Sequence, residues 1–513
     1  MAHYHLQDVQ MDLPQRRFMK KTNVRENRTD KMGPRIAIIG AGFSGIGMAI
    51  RLKESGYTNF TVFERSDNVG GTWRDNTYPG CACDVASHLY SFSFEKKSDW
   101  TSVFSDASEI YQYLLSCVEK FKLENHLKLN TTVSEMRFDS SANEWAISTE
   151  SGEIFHVDII INGTGPLNKP NIPKIPGIEN FSGKIFHSSK WDHEHQLDGR
   201  NVACIGTGAS AIQFIPEIVN RVGSLKVFQR TPTWLVPRFN RHYSYLTKWI
   251  FKNVPVVRNL YRLFLYWRNE YYGIAIIGYP FFNNLLQKAS KLYLRTKVKD
   301  PKLRKKLTPS YQIGCKRINI SDDYYESLQR PNSDLVTEPI LSISSTGVMT
   351  TDGKKHECDT IIFGTGFVTT KYLQPMKIYG SQGKELTEQW AGSAESYLGI
   401  SVAGFPNYFL LLGPNTGLGH NSVVFMIEAQ IEYVIKALRY LKKSKKSFID
   451  VKLERQVTFC DSTQNKLGKF SWGSGCDSWY LSENGKNYSI WPGFTPSYWW
   501  KTRKFDVASY HVS

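Results

Sequence analysis

The sequence predicts an α/β protein built from two Rossmann-like dinucleotide-binding units interleaved in one chain. Two glycine-rich turns carry this prediction, GAGFSG at 40–45 and GTGASA at 206–211, because each follows a short apolar run and precedes a helix-like segment. A second apolar run comes after each helix-like segment, NFTVFE at 59–64 and LKVFQR at 225–230. In this β–α–β setting the glycines let the backbone approach a pyrophosphate at the start of a helix.

The two units differ in the residue that ends their second strand. Glu64 lies 24 positions after Gly40, and Arg230 lies 24 positions after Gly206. A carboxylate at this place accepts hydrogen bonds from free ribose hydroxyls, as in FAD, whereas a guanidinium suits the 2′-phosphate of NADP. We therefore expect the first unit to bind FAD and the second to bind NADPH.

Three more runs indicate how the units are completed. DIIINGTGP at 158–166 and DTIIFGTGF at 359–367 each combine an acidic residue, an apolar strand and a GTG turn, and each is expected to close one unit. YFLLLGPNTG at 408–417 predicts a buried strand that returns the C-terminal third to the first unit. The sequence between 238 and 318 is helix-like, aromatic and basic, which indicates an insertion in the second unit.

These patterns predict the domain organisation of the whole chain. In order, we expect a flexible arm (1–33), the first part of the FAD-binding domain (34–168), a linker (169–192), the NADP-binding domain (193–358) with a helical insertion at about 238–318, a second linker (359–390) and the second part of the FAD-binding domain (391–513).

Net charge, cysteine spacing and hydropathy limit which partners and which location are expected. The formal net charge is +17, but no nucleic-acid-binding motif accompanies it, so we expect no nucleic-acid partner and leave open a weak association with a membrane surface. The eight cysteines include no CxxC pair, which argues against a disulfide framework, a dithiol centre and a metal site. The most apolar stretch, 271–286, is short and contains Pro280, so no transmembrane segment is expected. With no apolar leader, the expected location is cytoplasmic.

A further motif lies between the two glycine-rich turns. The stretch FSGKIFHSSKWD places Phe181, Gly183, His187, Trp191 and Asp192 at the spacing FxGxxxHxxxW[PD]. With its two flanking dinucleotide turns, this pattern resembles the fingerprint of the type I Baeyer–Villiger monooxygenases. The likeness runs from about residue 34 to the C-terminus and includes GGTWRDNTYPGCACD, SFSF, FQRTP, DDYYESLQR and WPGF in order. A small departure is GTGF, where the family more often has ATGF.

The resemblance implies an FAD- and NADPH-dependent enzyme that uses O₂ and a small-molecule ketone. One oxygen atom would be inserted beside the carbonyl through a flavin peroxide, giving an ester or lactone. By resemblance, Arg330 is the catalytic arginine that stabilises negative charge beside the flavin, and Asp84 is the carboxylate that pairs with it. The fingerprint is implied to be a hinge or positioning element, and for His187 a structural role and a chemical role both stay open.

The motifs also assign residues to each cofactor. The residues expected to contact FAD are Gly40, Gly42, Phe43, Ser44, Gly45, Glu64, Arg65, Gly71, Thr72, Trp73, Arg74, Asp75, Asp84, Tyr90, Val133 and Val423. The residues expected to contact NADP are Ala82, Cys83, Asp84, Gly206, Thr207, Gly208, Ala209, Ser210, Ala211, Ile212, Arg230 and Thr231. No residue is assigned to a metal.

Two other functions stay open at this point. A flavin-dependent N- or S-oxygenase of the same superfamily would share both cofactors, but Trp191 followed by Asp192, together with Arg330, favours the Baeyer–Villiger type. A non-catalytic nucleotide-sensing or membrane-surface protein is supported by the basic aromatic insertion alone. A dithiol reductase is excluded by the missing CxxC pair.

Overall fold

The computed structural model describes most of the chain. The described residues are 33–277, 279–369, 373–473, 475–476, 478, 480–482 and 484–513, together with the short strand Asn23–Val24. That strand pairs in parallel with Ile154 and Phe155. The rest of the arm expected at 1–33, apart from Gly33, lies outside the described residues.

The first nucleotide-binding unit is a parallel five-stranded sheet. Across the sheet the strands are Tyr408–Leu410, Ile159–Asn162, Ile36–Ile39, Phe60–Phe63 and Leu127–Lys128. The strands at 36–39 and 159–162 are buried along their whole length, because helices cover both faces of a parallel sheet. The edge strand from residue 408 joins the strand at 159–162, as expected from the interleaved order.

Helices from distant parts of the sequence pack on this sheet. They are Phe43–Glu54, Ala107–Lys120 and Val423–Ser444, and the short turn Thr72–Asp75 lies beside them. The first and the last of the three pack against each other. The helix from residue 107 begins at Asp106, whose carboxylate accepts a hydrogen bond from the backbone N–H of Glu109 at 2.7 Å. The core of the first unit therefore contains residues from both ends of the described chain.

The second unit repeats the same architecture. Its parallel strands, in order across the sheet, are Ser333–Val336, Ser224–Phe228, Asn201–Ile205, Thr360–Phe363 and Lys184–His187. Its first helix is Ala211–Ile218, and the short helix Tyr324–Ser327 packs against it. The predicted α/β fold with two dinucleotide-binding units is confirmed.

Two predicted boundaries differ from the observed sheets. The strand at 360–363 is a central member of the second sheet, although 359–390 was expected to be a linker. The strand at 184–187 is an edge of that sheet, although 169–192 was expected to be a linker. Both strands are only four residues long, and their pairing depends on residues more than a hundred positions away.

The helical insertion is bracketed by a pair of two-residue strands. Leu235–Val236 and Asn319–Ile320 pair in parallel, so the chain leaves and re-enters the second unit at one place. Between them lie the first insertion helix (Tyr245–Asn253), the second (Pro255–Ile277), the third (Pro280–Lys297) and the fourth (Pro301–Leu307). All four helices lie between residues 238 and 318, where an insertion is expected from the sequence.

Smaller elements complete the chain. A mixed sheet contains Asn23–Val24, Ile154–Val157, Glu144–Thr149, Val133–Asp139 and Lys377–Tyr379, and an antiparallel sheet contains Ile340–Ser344, Gly347–Thr350 and Lys355–Glu357. The remaining helices are Leu386–Trp390, Leu453–Leu467 and Thr495–Thr502, and the strands Ile449–Val451 and Tyr510–Val512 pair near the C-terminus. Across the described ranges, the helices are too short or too polar to cross a bilayer.

One carboxyl group in this C-terminal pair makes stability depend on pH. Both oxygens of Asp450 accept the backbone N–H of Gly404 at 3.1 Å, and burial raises the Asp450 pKa to about 7. From about pH 4 to about pH 7 the folded state therefore holds a proton that the unfolded state has lost, so stability falls as the pH rises through this window. We expect Asp450→Asn to remove this loss, so its unfolding temperature relative to the parent protein should be higher at about pH 8 than at about pH 4. Thermal unfolding at both pH values tests this, and equal differences at the two would contradict it.

Candidate active site

The two units share one large cavity. Its volume is about 1130 Å³, above the range of about 300–1,000 Å³ that is usual for a single small ligand. Its wall includes both glycine-rich turns and both GTG turns, the latter at 163–165 and 364–366. These turns follow the carboxyl ends of parallel strands, which is where doubly wound sheets bind ligands.

The first glycine-rich turn is built by close backbone contacts. Gly40 has a φ of +95°, and its N–H donates to the carbonyl of Phe63 at 2.8 Å. A Cβ placed on Gly45 would lie 1.8 Å from the carbonyl oxygen of Gly40, so the helix begins directly against the turn. The free N–H groups of this helix start form an anion-binding platform beside the strand end.

Glu64 is fixed at the end of the second strand of this unit. Its side chain is buried and accepts the N–H of Ala41 at 2.9 Å and the N–H of Ser66 at 3.1 Å. Arg74 lies 3.4 Å from the same carboxylate. Glu64 thus lines the cavity next to the glycine-rich turn, at the position that suits ribose hydroxyls.

The second turn repeats the geometry of the first. Gly206 has a φ of +105°, and its N–H donates to the carbonyl of Phe228 at 3.1 Å. The N–H of Gly364 donates to Ile205 at 2.9 Å, just as the N–H of Gly163 donates to Ile39 at 2.8 Å. Arg230 is exposed at the cavity wall, in the position that Glu64 occupies in the first unit.

Most residues that the sequence assigned to cofactors lie on this cavity. Of the FAD set, all but Gly45 line the wall, and Gly45 lies behind it as the contact between helix and turn. Of the NADP set, all but Ala211 and Ile212 line the wall. Those two are buried inside the helix Ala211–Ile218, because the apolar face of that helix packs into the core of the second unit. The residues present therefore fit one FAD and one NADP.

The fingerprint residues do not reach the cavity. Gly183 lies so close to the backbone that a Cβ would be 2.1 Å from the carbonyl of Asp359. Trp191 packs on Phe186 and Phe214, with ring centroids 5.2 and 5.3 Å apart. The fingerprint segment thus contains the edge strand of the second sheet and packs it against the rest of that unit.

Two polar fingerprint residues and one ring fix the ends of this segment. Asp192 forms an ion pair with Lys184 at 2.6 Å, and Phe181 packs on the apolar cluster beneath the sheet. His187 is buried, its Nδ1 accepts the N–H of Ser189 at 3.1 Å, and burial lowers its pKa. Its ring lies 5.9 Å from that of Phe367, which follows the second GTG turn. This placement favours a positioning role for His187.

Asp84 has a different partner from the one expected. Nε and Nη2 of Arg317 donate to Oδ2 of Asp84 at 2.9 and 2.5 Å, and both residues line the cavity. The charge of Asp84 raises the pKa of Arg317, and the neighbouring Tyr480 has its own pKa raised to about 12 by burial. The cavity wall therefore holds a fixed, permanently charged guanidinium.

The prediction that Arg330 pairs with Asp84 is wrong. Tyr324 and Tyr325 are buried in the core of the second unit, and the chain then runs outward from the short helix that contains them. Arg330 is exposed, its backbone forms the turn before the strand at 333–336, and it does not line the cavity. The sequence signal that could have found Arg317 is its place directly before the strand Asn319–Ile320, where the chain re-enters the second unit.

A disulfide ties two parts of the cavity wall together. Cys315, two positions before Arg317, is bonded to Cys476, which lies in the segment that leads to Tyr480. The sequence suggested no disulfide, because the two cysteines are 161 positions apart. The other six cysteines are buried thiols, and no cluster of metal-binding side chains occurs among the residues that the structure describes.

Comparisons with known proteins agree with this site. Residues 33–264 match the family model described as flavin-binding monooxygenase-like. A Baeyer–Villiger monooxygenase of Pseudomonas aeruginosa is 44% identical over 93% of this chain and 91% of its own length. A steroid monooxygenase bound to NADP superposes with a TM-score of 0.84 at 27% identity, covering 94% of this chain and 99% of its own. The structure of OTEMO in complex with FAD and NADP superposes with a TM-score of 0.83 at 26% identity, covering 94% of this chain and all of its own.

These matches extend over nearly the whole chain and include both nucleotide-binding units. The expected pair of cofactors, FAD and NADP, is confirmed by the likeness to structures that contain both. The chain belongs to the Baeyer–Villiger monooxygenase family of flavin-binding monooxygenases.

Proposed function

We propose that the protein converts a ketone, O₂, NADPH and a proton into an ester or lactone, water and NADP⁺. The observation that carries this proposal is the Arg317–Asp84 ion pair, placed in a cavity whose wall contains both dinucleotide turns. Bound FAD, once reduced by NADPH, supplies the activation of O₂. The residues of the chain provide the binding sites and the fixed charge around this chemistry.

Arg317 has the properties that oxygen insertion needs. Attack of an oxygen nucleophile on a carbonyl carbon leaves negative charge on the carbonyl oxygen, and a preorganised donor lowers the energy of that state. A guanidinium has five N–H donors, and the two that point at Asp84 hold the side chain in place. It also stays protonated at any working pH, so it stabilises negative charge without releasing a proton.

A product assay tests the proposed reaction. The purified flavoprotein is incubated with NADPH, ¹⁸O₂ and cyclic, linear or aryl ketones, and the products are analysed by gas chromatography with mass detection. We expect one labelled oxygen in each ester and a flavin that bleaches with NADPH and recovers with O₂. Oxidation of thioethers or amines with no ester from any ketone would identify an N- or S-oxygenase instead, and a flavin that NADPH never bleaches would identify a sensor.

Arg230 is the basis of an expected preference for NADPH over NADH. It lies exposed at the cavity wall, at the end of the second strand of the NADP unit, where it can pair with the 2′-phosphate. Loss of a charge-assisted contact costs about 1.5–3 kcal/mol, so Arg230→Ala should reduce the NADPH preference in kcat/KM by roughly ten- to a hundredfold. Arg65→Ala is the matched control, since Arg65 follows Glu64 on the FAD side. An unchanged preference in Arg230→Ala would contradict the assignment.

The cytoplasmic location expected from the sequence stays a prediction.

A further inference from the structure

The second insertion helix has an apolar stripe on its outer side. Its residues are spaced three or four positions apart, with one adjacent pair, and this spacing places them on one side of the helix. The stripe comprises Val256 (65% exposed), Leu260 (61%), Leu263 (50%), Phe264 (59%), Trp267 (56%) and Tyr271 (60%). Monomeric soluble proteins rarely expose a continuous apolar surface of this kind without a partner.

The opposite side of this helix attaches it to the protein. Leu265 and Ile276 are buried in two different apolar clusters. Nη1 of Arg262 donates to the carbonyl of His88 at 2.6 Å, and Nη2 donates to the carbonyl of Ser91 at 3.0 Å. The inner side thus holds the helix in place, so the outer stripe is not needed for folding.

The neighbouring insertion helices extend the apolar surface. Tyr245 and Leu246 of the first helix are 85% and 64% exposed, and Phe281 and Leu285 of the third are 74% and 56% exposed. The third helix packs on the second, and the rings of Phe282 and Tyr271 lie 6.4 Å apart. We call the exposed apolar residues of these three helices the insertion patch.

The segment that contains the insertion patch is strongly basic. From Arg238 to Lys299 it has twelve lysines and arginines and a single acidic residue, Glu270, which gives a net charge of +11 in 62 residues out of the +17 of the whole chain. Glu270 is buried, and its carboxylate accepts hydrogen bonds from the side chains of Asn421 at 2.6 Å and Thr495 at 2.5 Å. On the third helix, Lys288 and Arg295 are exposed on the same side as Leu285 and Leu292.

We propose that the insertion patch docks on the surface of an anionic lipid bilayer. A helix face that combines aromatic and aliphatic side chains with lysine and arginine suits the boundary between lipid headgroups and acyl chains. A second copy of this chain fits less well, because a symmetric contact would bring the exposed cations Lys288 and Arg295 of the two copies close together. Across the described ranges, the helices are too short or too polar to cross the bilayer, so the contact lies in the plane of the membrane.

The docked face would lie close to the active-site cavity. Asn421 lines the cavity and donates to Glu270 on the second insertion helix. The residue that contacts this part of the cavity wall and the exposed stripe therefore belong to the same helix.

Vesicle cosedimentation tests the proposal with the intact flavoprotein. The probes are vesicles of phosphatidylglycerol and phosphatidylcholine in equal parts, and vesicles of phosphatidylcholine alone. We expect binding to the mixed vesicles to be about tenfold tighter or more. In the triple variant Leu260→Ser/Phe264→Ser/Trp267→Ser, the partition coefficient for the mixed vesicles should fall about 100-fold or more. In Lys288→Glu/Arg295→Glu it should fall about tenfold or more.

Matched controls separate docking from general effects. Leu341→Ser/Leu453→Ser removes leucines that are 57% and 60% exposed outside the insertion, and Lys443→Glu/Lys446→Glu makes the same charge change elsewhere. We expect both controls, like the patch variants, to retain FAD and NADPH oxidation, and the controls to bind vesicles like the parent protein. Equal binding to both kinds of vesicle, or equal losses in the controls, would overturn the proposal. The proposal would also be overturned if the parent protein binds no vesicles and instead forms a dimer that sedimentation detects and that the triple variant fails to form.

Discussion

Arg317→Ala is expected to abolish ester formation while FAD stays bound and NADPH is still oxidised. The guanidinium lies in the cavity wall and is held by two contacts to Asp84, whereas the cofactor turns are built from other residues. Removal of one preorganised donor typically costs about 10²–10³ in rate, and this change also removes a full charge. The loss should therefore fall on oxygen insertion and leave the use of NADPH intact, with hydrogen peroxide released instead of ester.

Arg330→Ala is the matched control for this experiment. Arg330 is exposed outside the cavity, so its replacement should leave the rate of ester formation unchanged. Arg317→Lys should recover little activity, because an ammonium lacks the planar fork that fits Asp84 and is more strongly hydrated. Ester yield, NADPH consumption and peroxide release are measured together for each variant. Ester formation at the parent rate in Arg317→Ala, or its loss in Arg330→Ala, would refute the assignment of the charge to Arg317.

Gly45→Ala is expected to yield protein without bound flavin. The new Cβ would lie 1.8 Å from the carbonyl oxygen of Gly40, which is backbone and cannot rotate away. The helix would have to move off the strand end, and overpacking of this kind costs about 1–3 kcal/mol or more. Because Gly40 belongs to the turn that we expect to hold the pyrophosphate, the displacement should remove the FAD site, which the flavin absorbance of the purified protein reports.

Two other glycines show whether the effect comes from this contact. A Cβ on Gly42 would lie 3.8 Å from its nearest neighbour, Gly71, so Gly42→Ala should fold normally and bind FAD more weakly, because Gly42 lines the cavity. Gly468 is far from both turns in sequence, and a Cβ there would meet nothing closer than 3.7 Å. Gly468→Ala should therefore match the parent protein. A yellow, active Gly45→Ala variant would show that the helix start tolerates the side chain.

The nucleotide-binding units were predictable because their signals are local. The first glycine of each turn and the residue that ends the second strand are 24 positions apart, and the same contacts recur at Gly40 and at Gly206. Spacing within one β–α–β unit is fixed by the lengths of a strand and a helix, so the sequence reports it directly.

The pairing of Arg317 with Asp84 was not predictable in the same way. The place of Arg317 depends on the pairing of Leu235–Val236 with Asn319–Ile320 across an insertion of about eighty residues. Two-residue strands leave almost no pattern in a sequence, whereas the tyrosines before Arg330 form a conspicuous motif that is used for packing. The strands at 184–187 and 360–363 were assigned to linkers for the same reason, since only their distant partners identify them.

The return of the strand Tyr408–Leu410 to the first sheet affects how the protein can be made. During synthesis, the glycines of the first turn leave the ribosome more than 350 residues before this strand and the helix Val423–Ser444 that pack with them. Domains that are contiguous in sequence can fold one after another as they emerge, but the first unit here is complete only when nearly the whole chain is available. A fragment that ends before residue 400 would contain the entire glycine-rich turn and Glu64, yet it would lack an edge of its sheet and a covering helix. The first unit therefore cannot be produced as an independent module by cutting the chain between the two units.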